Sequence, residues 1–598
     1  MKLMLNLLIL LLCCSSSLAR LPNIILVITD DQGYGDFGFS GNKLIQTPNI
    51  DELVKNSILL KNFHVDPTCA PTRAALLTGR YSNRVGVWHT VQGRNMLRER
   101  EITLADVLEE NGYETGLFGK WHLGDNYPYR PVDRGFNHCI MHHAGGVGQA
   151  PDYWGNDYFD DTYNANGIFE RFDGFCTDIW FDEAIKFIKS NKDNPFFAYI
   201  APNAPHSPFY CPEEYTRIYE NNNKIPNIPF YGMITNIDDN MGNLIKFLDE
   251  ENLSNNTILI YMTDNGTSAG IKNDIGYNAN MRGKKNSEYE GGHRVPCIIR
   301  WPESNLIHGK EISKLTAHID LFPTIIDLCN LDAPKIDFDG KSIIKLLQQN
   351  EEKWTDRTLV VESQRVVTPI KWRKSAVMKD SWRLINGQEL YNLDNDFEQK
   401  RNVSKKYPAI VDELRDHYDI FWNDVSKDHI LTSHISLGSD LNPIVKLSSH
   451  DWLIDQLSPW SQEHVKVGFC EEQSFWSVKC EKSGIYEISL SRWPVEADKP
   501  INNGSYGKSY EYTHARLKIN DIDIKKSIPA GAKEITFSVN LPKGIMKLAP
   551  VFISDKLIAT PYYAYVTHQP KKNWQTPEGM KIPIFDPNYG IKPPQISN

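Results

Sequence analysis

Three continuous apolar segments constrain the fold of this chain more than any other feature. They are rich in β-branched and aromatic residues and show no polar alternation, which is typical of strands buried on both faces of a sheet. The segments are 23–29, 195–200 and 257–263. Helical periodicity is found over 178–192, 231–250 and 318–331. Strands that alternate with helices in this way predict an open α/β sheet.

Polar residues follow each of the three predicted strands. Asp30 and Asp31 follow the first, Asp264 and Asn265 follow the last, and His206 lies in the loop after the middle strand. In open α/β sheets the ligand binds beyond the carboxyl ends of the strands. Four hard oxygen ligands suit Ca²⁺ or Mg²⁺ better than zinc. Adjacent carboxylates are also common in solvated turns and helix caps, so the residues alone leave that interpretation open.

Cys69 begins a stretch that combines a nucleophilic residue with a predicted helix. Residues 69–80 read Cys-Ala-Pro-Thr-Arg-Ala-Ala-Leu-Leu-Thr-Gly-Arg. Pro71 is favourable at the start of a helix, and the alanines and leucines that follow are strong helix formers. Residue 69 would then lie at a helix N-terminus, where free N–H groups favour an anion, and Arg73 could reach back to it. The alternative is a buried structural cysteine in front of an ordinary helix.

The overall charge excludes one class of partner. The chain has 598 residues and a formal net charge of -10. It therefore has no global basic field that would attract nucleic acid or a polyanion, and we expect no nucleic-acid partner. An anionic substrate must be held by a local cluster of cations.

The segment 69–80 resembles the motif of type I sulfatases, in the alkaline phosphatase superfamily, whose C-x-P-x-R cysteine is oxidised to formylglycine (3-oxoalanine). Gly119–Gly124 (GKWHLG), the loop around His206 and residues 281–296 (MRGKK followed by YEGGHRVP) resemble the same family in the same order. The resemblance covers residues 21–425. It implies an alkaline-phosphatase-like mixed sheet between helices and a sulfuric ester hydrolase of the arylsulfatase type. It also implies that a formylglycine-generating enzyme modifies Cys69.

The same resemblance implies the roles of the site residues. The divalent metal, Ca²⁺ with Mg²⁺ as the alternative, would be held by Asp30, Asp31, Asp264 and Asn265, with residue 69 bridging metal and sulfate. Lys120 and His122 would hold the formylglycine, and His122 would take a proton from its hydrate. His206 would contact the ester oxygen, and because imidazole titrates near neutral pH it can protonate the leaving alcohol.

Lys285 corresponds to the family's sulfate-binding lysine. Lys284 stands where glycine is common in the family, so which of the two lysines faces the sulfate stays open, and Lys284 is also a candidate for binding substrate. The remaining candidates for the substrate pocket are loop residues, namely His89, His142, His143, Tyr153 and Trp154.

The domain organisation is predicted from changes of pattern along the chain. Residues 1–19 are typical of a signal peptide, with Lys2, an apolar stretch over 3–12 and a small-residue cleavage site. A secreted or periplasmic protein is therefore expected, and Cys13 or Cys14 leaves a lipoprotein anchor as the alternative. The apolar stretch is too short to span a membrane. The other predicted units are 20–356 (catalytic α/β domain), 357–430 (small antiparallel C-terminal subdomain), 440–570 (appended all-β sandwich) and 571–598 (tail).

The predicted sandwich is based on alternating segments that are separated by Gly, Pro and Asn clusters. Its tryptophans, Trp452, Trp460, Trp476 and Trp493, are either stacking platforms for carbohydrate or, more often in small sandwiches, core residues. The ten cysteines are widely scattered and do not form a disulfide framework. Cys470 and Cys480 flank a predicted hairpin and are the one pair that could form a bridge.

The predicted substrate is a sulfated carbohydrate, because export and an appended β-domain fit a polysaccharide or oligosaccharide. Galactan or galactosaminoglycan sulfates are favoured. One alternative is a phosphonate or phosphate monoester hydrolase of the same superfamily. Another is a non-catalytic protein that binds sulfated glycans.

Overall fold

The computed structural model describes residues 21–569, except 274, 349–353, 470–472 and 505. The predicted signal peptide and the predicted tail therefore lie outside the described residues, as does Cys470. Among the helices in the described ranges, none is both long enough and apolar enough to cross a membrane.

A mixed sheet forms the centre of the N-terminal part of the chain. Its strands, together with the separate ribbon β9–β10, are β1 (Asn23–Thr29), β2 (Ile58–His64), β3 (Glu114–Lys120), β4 (His138–His142), β5 (Thr162–Ala165), β6 (Ile168–Arg171), β7 (Phe196–Ala201), β8 (Thr257–Thr263), β9 (Ile271–Lys272), β10 (Ile275–Gly276), β11 (Arg294–Arg300), β12 (Lys310–Ile312) and β13 (Thr316–Ala317). The order across the sheet is β12-β2-β11-β8-β1-β7-β3-β4-β5-β6, and β13 pairs with β2.

The three apolar segments of the sequence are adjacent at the middle of this sheet. β8, β1 and β7 are parallel neighbours, and β3 and β4 continue the parallel part. Every residue of β1, β7 and β8 is buried. β11 runs antiparallel between β8 and β2, which makes the sheet mixed. The predicted fold class is confirmed.

Helices cover both faces of the sheet. The α-helices of the described residues are α1 (Pro48–Lys55), α2 (Cys69–Thr78), α3 (Leu104–Glu110), α4 (Cys176–Asn191), α5 (Glu213–Arg217), α6 (Ile228–Glu250), α7 (Glu290–His293), α8 (Leu321–Cys329), α9 (Ile344–Leu347), α10 (Pro408–Val425) and α11 (Gln462–Val467). Ile24 and Leu26 pack on one face with side chains of α2, α3 and α8, whereas Ile25 and Val27 pack on the other with α4 and α6. Alternate residues of one strand therefore belong to two cores, as the period of a strand requires.

The helix α6 begins three residues before the predicted start of its periodic segment. The side chain of Asn227 accepts a hydrogen bond from the N–H of Phe230, and Pro229 lies in the first turn. Asparagine caps and early prolines both favour a helix start. The first turn is therefore set by capping, which hydrophobic periodicity does not report.

A small antiparallel sheet follows the main one. It contains β14 (Thr358–Glu362), β15 (Ser375–Lys379), β16 (Trp382–Ile385) and β17 (Glu389–Asn392) in sequential order. The helix α10 packs on it, with Leu414 and Tyr418 against Val377 and Leu384. These elements lie inside the range predicted for the C-terminal subdomain.

The last unit, here called the C-terminal sandwich, consists of two sheets that share one core. Its strands are β18 (Ile435–Leu437), β19 (Ile444–Ser448), β20 (Trp476–Cys480), β21 (Gly484–Ser491), β22 (His514–Ile519), β23 (Ile522–Ser527), β24 (Glu534–Leu541), β25 (Gly544–Leu548), β26 (Val551–Ile553), β27 (Ile558–Ala559) and β28 (Tyr563–Gln569). One sheet has the order β18-β20-β25-β22-β26-β27 with β23 beside β22, and the other β19-β28-β21-β24. Trp452, Trp476 and Trp493 are buried in the core between them. These three are therefore core residues, and Trp460 is half-buried.

The core of the C-terminal sandwich extends into the N-terminal part of the chain. Met96, Tyr129 and Ala150 belong to the same apolar cluster as the sandwich tryptophans. The cysteines in the described ranges, including Cys480, have free thiols, and the predicted partner Cys470 is not among them. The C-terminal sandwich is therefore held against the N-terminal part of the chain by this apolar packing.

Candidate active site

The carboxylates of the site lie side by side because two central strands end together. β1 and β8 are paired in parallel up to Thr29 and Thr263, so Asp30 and Asp264 follow at the same level. The backbone N–H of Asp31 donates to Asp264 Oδ1 at 3.0 Å. The register of the sheet therefore brings together residues that are more than two hundred positions apart.

Cys69 faces these carboxylates from the first position of α2. Its side chain is buried, and the ligand atoms of Asp30, Asp31, Cys69 and Asp264 all lie within 4.8 Å of one another. The predicted nucleophile and the three predicted carboxylate ligands thus form one cluster.

The cluster fits a hard divalent cation. Asp30 Oδ1 and Asn265 Oδ1 are buried and have no hydrogen-bond partner among the described residues. Buried oxygens of this kind are normally paired, so two of them together call for a ligand. Burial and the nearby Asp30 carboxylate raise the pKa of Asp264 to about 7, although Arg73 opposes the rise. A cation coordinated by oxygens would satisfy the oxygens and relieve the repulsion.

Each carboxylate of the cluster is also paired with one cation of the chain. The contacts are Arg73 Nη2 to Asp264 Oδ2 at 2.9 Å, Lys120 Nζ to Asp30 Oδ2 at 2.5 Å and Lys285 Nζ to Asp31 Oδ1 at 2.6 Å. Arg73 also donates to the carbonyl of Lys120 at 3.1 Å, which connects α2 to the end of β3. Because three carboxylates face three cations, the site becomes strongly positive only when a divalent cation is added.

The structure separates the two neighbouring lysines. Lys285 is mostly buried and contacts Asp31, whereas the side chain of Lys284 is exposed. In this structure it is therefore Lys285 that faces the carboxylate cluster.

Cys69 is not activated as a thiolate by its surroundings. Burial, followed by the charge of Asp30, raises the pKa of its thiol to about 12. The unmodified side chain is therefore a neutral thiol near neutral pH and a poor nucleophile.

His122 is held in one tautomer by a backbone carbonyl. Its Nε2 lies 2.8 Å from the oxygen of Thr90, and a carbonyl can only accept, so Nε2 carries the proton. Nδ1 is buried without a partner among the described residues. Burial, with a further contribution from Lys120, lowers the pKa of His122 well below its usual value. His122 is thus a neutral imidazole with a free lone pair.

A glycine makes room for this ring. A Cβ atom on Gly145 would lie 2.3 Å from His122 Cε1, which is closer than such contacts allow. Neither Gly145 nor the carbonyl of Thr90 was predicted as part of the site. No sequence signal identifies them, because Thr90 contributes only a backbone atom and Gly145 contributes only the absence of a side chain.

His206 is also neutral in the substrate-free protein. Its Nδ1 donates to the carbonyl of Ser207 at 2.6 Å, and Nε2 lies 3.9 Å from Asp31 Oδ2. Burial, and then the charge of Lys285, lower the pKa of His206 to about 3. To act as an acid it must first take up a proton, which a bound sulfate ester would favour through its negative charge.

The other predicted pocket residues are placed differently from one another. His89 Nδ1 accepts from the N–H of Thr90 at 2.7 Å. This is the loop whose Thr90 carbonyl contacts His122. His142 is fully buried and packs against Trp180 at a ring distance of 6.1 Å. His143 accepts from Asn164 Nδ2 at 3.0 Å.

The two predicted aromatic residues of the pocket have half-buried side chains. Tyr153 packs against Phe169 at a ring distance of 5.4 Å. Trp154 packs against Trp493 of the C-terminal sandwich at 5.3 Å. Trp154 therefore lies at the contact with the sandwich and not beside the carboxylate cluster.

The burial of His142 predicts a loss of stability in acid. Burial lowers its pKa to about 3, whereas the unfolded chain has the usual value near 6.5. Below pH 6.5 the unfolded state therefore binds a proton that the folded state does not, and the free energy of unfolding falls by up to about 1.4 kcal/mol per pH unit. In denaturant unfolding between pH 6 and 4.5, His142→Phe should reduce the slope by about this amount. A comparison at pH 7.5 isolates the packing effect, and an unchanged slope would contradict the prediction.

With this geometry established, the comparisons with known proteins decide the family. The sulfatase family matches residues 22–331, and the C-terminal region of N-sulphoglucosamine sulphohydrolase matches 284–420. The chain belongs to the sulfatase family. The predicted resemblance to this family is confirmed.

Relatives with names and structures extend this result. Human N-acetylgalactosamine-6-sulfatase is 30% identical over 360 residues, which cover 55% of this chain and 66% of that one. Human arylsulfatase A is 30% identical over 370 residues, with 57% and 70% covered. The crystal structure of Ps i-CgsB in complex with k-i-k-neocarrahexaose is 30% identical, with a TM-score of 0.62 and 68% of this chain and 94% of that chain covered. The match thus spans just under two thirds of the human N-acetylgalactosamine-6-sulfatase.

Proposed function

We propose that this protein hydrolyses sulfate esters of a carbohydrate, using a formylglycine made from Cys69 and a bound divalent cation. The observation that carries the proposal is the cluster in which Cys69 lies within 4.8 Å of the ligand atoms of Asp30, Asp31 and Asp264. The neutral thiol of Cys69 argues against direct attack by the cysteine and in favour of its conversion. Formylglycine supplies an aldehyde whose hydrate has the attacking hydroxyl.

The cation would be held by Asp30, Asp31, Asp264 and Asn265. Their oxygens favour Ca²⁺, with Mg²⁺ as the alternative. When bound, such an ion supplies positive charge next to residue 69 and to the sulfate oxygens.

Three cationic side chains position the nucleophile and the sulfate group. Arg73 and Lys120 are fixed by each other and by the carboxylates, so they orient residue 69. Lys285, at the more open side of the cluster, is suited to a sulfate oxygen.

Two histidines are suited to proton transfer. His122 presents its free Nδ1 as a base, because Thr90 fixes the proton on Nε2. His206 presents Nε2 beside Lys285, where it can donate a proton to the leaving oxygen once it has been protonated.

The substrate class is proposed from the named relatives and from the local cations. One relative is named for N-acetylgalactosamine 6-sulfate, and another was solved with a carrageenan hexasaccharide. Both names favour a sulfated galactan or galactosaminoglycan. We further propose that the protein is exported through residues 1–19, with a lipid anchor as the alternative, and that a formylglycine-generating enzyme acts on it during maturation.

The test combines mass spectrometry with substrate comparison. The peptide that contains residue 69 should have the mass of the aldehyde and react with hydrazine, and the same preparation should cleave p-nitrophenyl sulfate. An intact thiol in active protein would refute the formylglycine. Higher kcat/KM for p-nitrophenyl phenylphosphonate than for the sulfate would instead support a phosphonate hydrolase.

Replacing each of the two adjacent lysines by alanine gives a matched pair of variants. Lys285→Ala should lower kcat/KM for a sulfate ester by about 10²–10³-fold, because it removes a cation aimed at developing charge. Lys284→Ala should change kcat/KM by less than about threefold, since exposed side chains rarely carry such effects. Equal losses in the two variants would contradict the placement of the lysines.

Calcium should stabilise the protein through the carboxylate cluster. A ligand at one hundred times its Kd adds about 2.7 kcal/mol to the free energy of unfolding. We therefore expect a rise in Tm when Ca²⁺ is added to chelator-treated protein. Asp30→Asn should abolish most of the rise, whereas Asp193→Asn, at an exposed position, should retain it. A rise that persists in Asp30→Asn would place the cation elsewhere.

A further inference from the structure

The C-terminal sandwich reaches the active site through one turn of the chain. Residues Ser449–Asp451 form a 3₁₀ turn after β19. The carbonyl of His450 accepts a hydrogen bond from the N–H of Gln92 at 2.7 Å. The side chain of Gln92 also donates to the carbonyl of Ile454 at 2.8 Å. Gln92 belongs to the loop whose Thr90 carbonyl fixes the tautomer of His122.

The side chain of His450 lies beside the catalytic histidine. Its ring centroid is 6.2 Å from that of His122, and only 1% of its side chain is exposed. A residue of the C-terminal sandwich is therefore a close neighbour of His122 in the folded chain.

The ring of His450 offers a hydrogen-bond acceptor to which no described residue donates. Nδ1 lies 3.3 Å from Asp451 Oδ1, and because a carboxylate accepts, Nδ1 carries the proton. Nε2 then has a free lone pair, and it is buried without a partner among the described residues. Leaving a buried polar atom unpaired costs stability, so a partner from outside the chain is the natural complement.

We propose that His450 lines the substrate pocket and accepts a hydrogen bond from a hydroxyl group of the bound carbohydrate. The C-terminal sandwich then completes the substrate-binding site. This inference rests on the proposed function, and it adds a specificity-determining residue from a unit outside the catalytic sheet. A sugar hydroxyl is a group that fits, because its O–H can donate to the unpaired Nε2.

The test compares a carbohydrate with a small ester. The ratio of kcat/KM for k-i-k-neocarrahexaose to kcat/KM for p-nitrophenyl sulfate should fall about tenfold in His450→Phe. The loss should be in KM, because the contact is made in both the ground state and the transition state. His450→Gln, whose amide oxygen can take the place of Nε2, should recover most of the ratio.

A matched control comes from another histidine of the C-terminal sandwich. His568 Nε2 is also buried without a partner among the described residues, but its ring packs on Tyr486 within the sandwich. His568→Phe should leave the ratio unchanged. An equal fall of both kcat/KM values in His450→Phe would assign His450 to the support of His122 and overturn the proposed contact. An unchanged ratio would overturn it as well.

Binding separates this inference from the proposed function. In a Cys69→Ala background, which cannot turn over, His450→Phe should weaken the Kd for k-i-k-neocarrahexaose about tenfold by calorimetry. If the wild type binds through His450 but cleaves no sulfate ester, the proposed function fails and the contact stands. If binding does not depend on His450, the contact fails whether or not the enzyme is active.

Discussion

Replacing Cys69 by alanine is expected to lower kcat for sulfate esters by a factor on the order of 10⁴ or more. Removal of a nucleophile that forms the covalent intermediate has effects of this size. Serine at this position should be nearly as damaging, since it lacks the second hydroxyl of an aldehyde hydrate. The measurement is single-turnover hydrolysis of p-nitrophenyl sulfate, with Tm recorded for each variant.

A second buried cysteine provides the control for this experiment. Cys297 is also fully buried, but it lies within β11 in the apolar core. Cys297→Ala should lower Tm moderately and leave kcat close to the wild-type value. Retention of more than about one hundredth of kcat in Cys69→Ala would show that residue 69 is not the nucleophile.

Replacing Arg73 by alanine is expected to lower the free energy of unfolding by about 3–5 kcal/mol in the presence of a chelator. The guanidinium and the Asp264 carboxylate are both fully buried and 2.9 Å apart. Removing the cation leaves a carboxylate in a dry environment beside Asp30, which is the costly way to break a buried pair. Calcium should restore part of the loss, because a bound cation also compensates Asp264.

An exposed ion pair gives the comparison for Arg73. Arg217 and Glu213 are 2.6 Å apart on α5, with side-chain exposures of 64% and 72%. Water screens such a pair, so Arg217→Ala should cost less than about 0.5 kcal/mol. Both variants can be measured by urea unfolding. A change below about 1 kcal/mol in Arg73→Ala would mean that water or another group compensates Asp264.

The centre of the fold could be predicted because its physical signal is local. β1, β7 and β8 are buried on both faces, and only continuous apolar segments can fill such positions. The last two strands at one side of the sheet, β5 and β6, were not predicted, since their residues are largely half-buried or exposed and follow no clear pattern. β5 pairs with β4 and β6 pairs with β5, and periodicity within one segment cannot reveal such pairing.

The residues of the site likewise fall into those that could be predicted from the sequence and those that could not. Asp30, Cys69, Lys120 and Lys285 lie in segments that resemble a family, and the structure brings them together. The role of Thr90 could not be predicted, because a backbone carbonyl is common to every residue. His450 was also missed, since it approaches His122 only through the packing of a separate unit.

The shared core of the C-terminal sandwich has a consequence for how such proteins diverge. Met96, Tyr129 and Ala150 pack in one apolar cluster with Trp452 and Trp476, so substitutions on the two sides must be compatible with each other. Recombination with a cut near residue 440 would bring new side chains into this cluster, and a poor fit there would leave a cavity or overpack the core. Exchange of the sandwich between two proteins of this architecture should therefore preserve stability only when the residues on both sides of this contact are exchanged together.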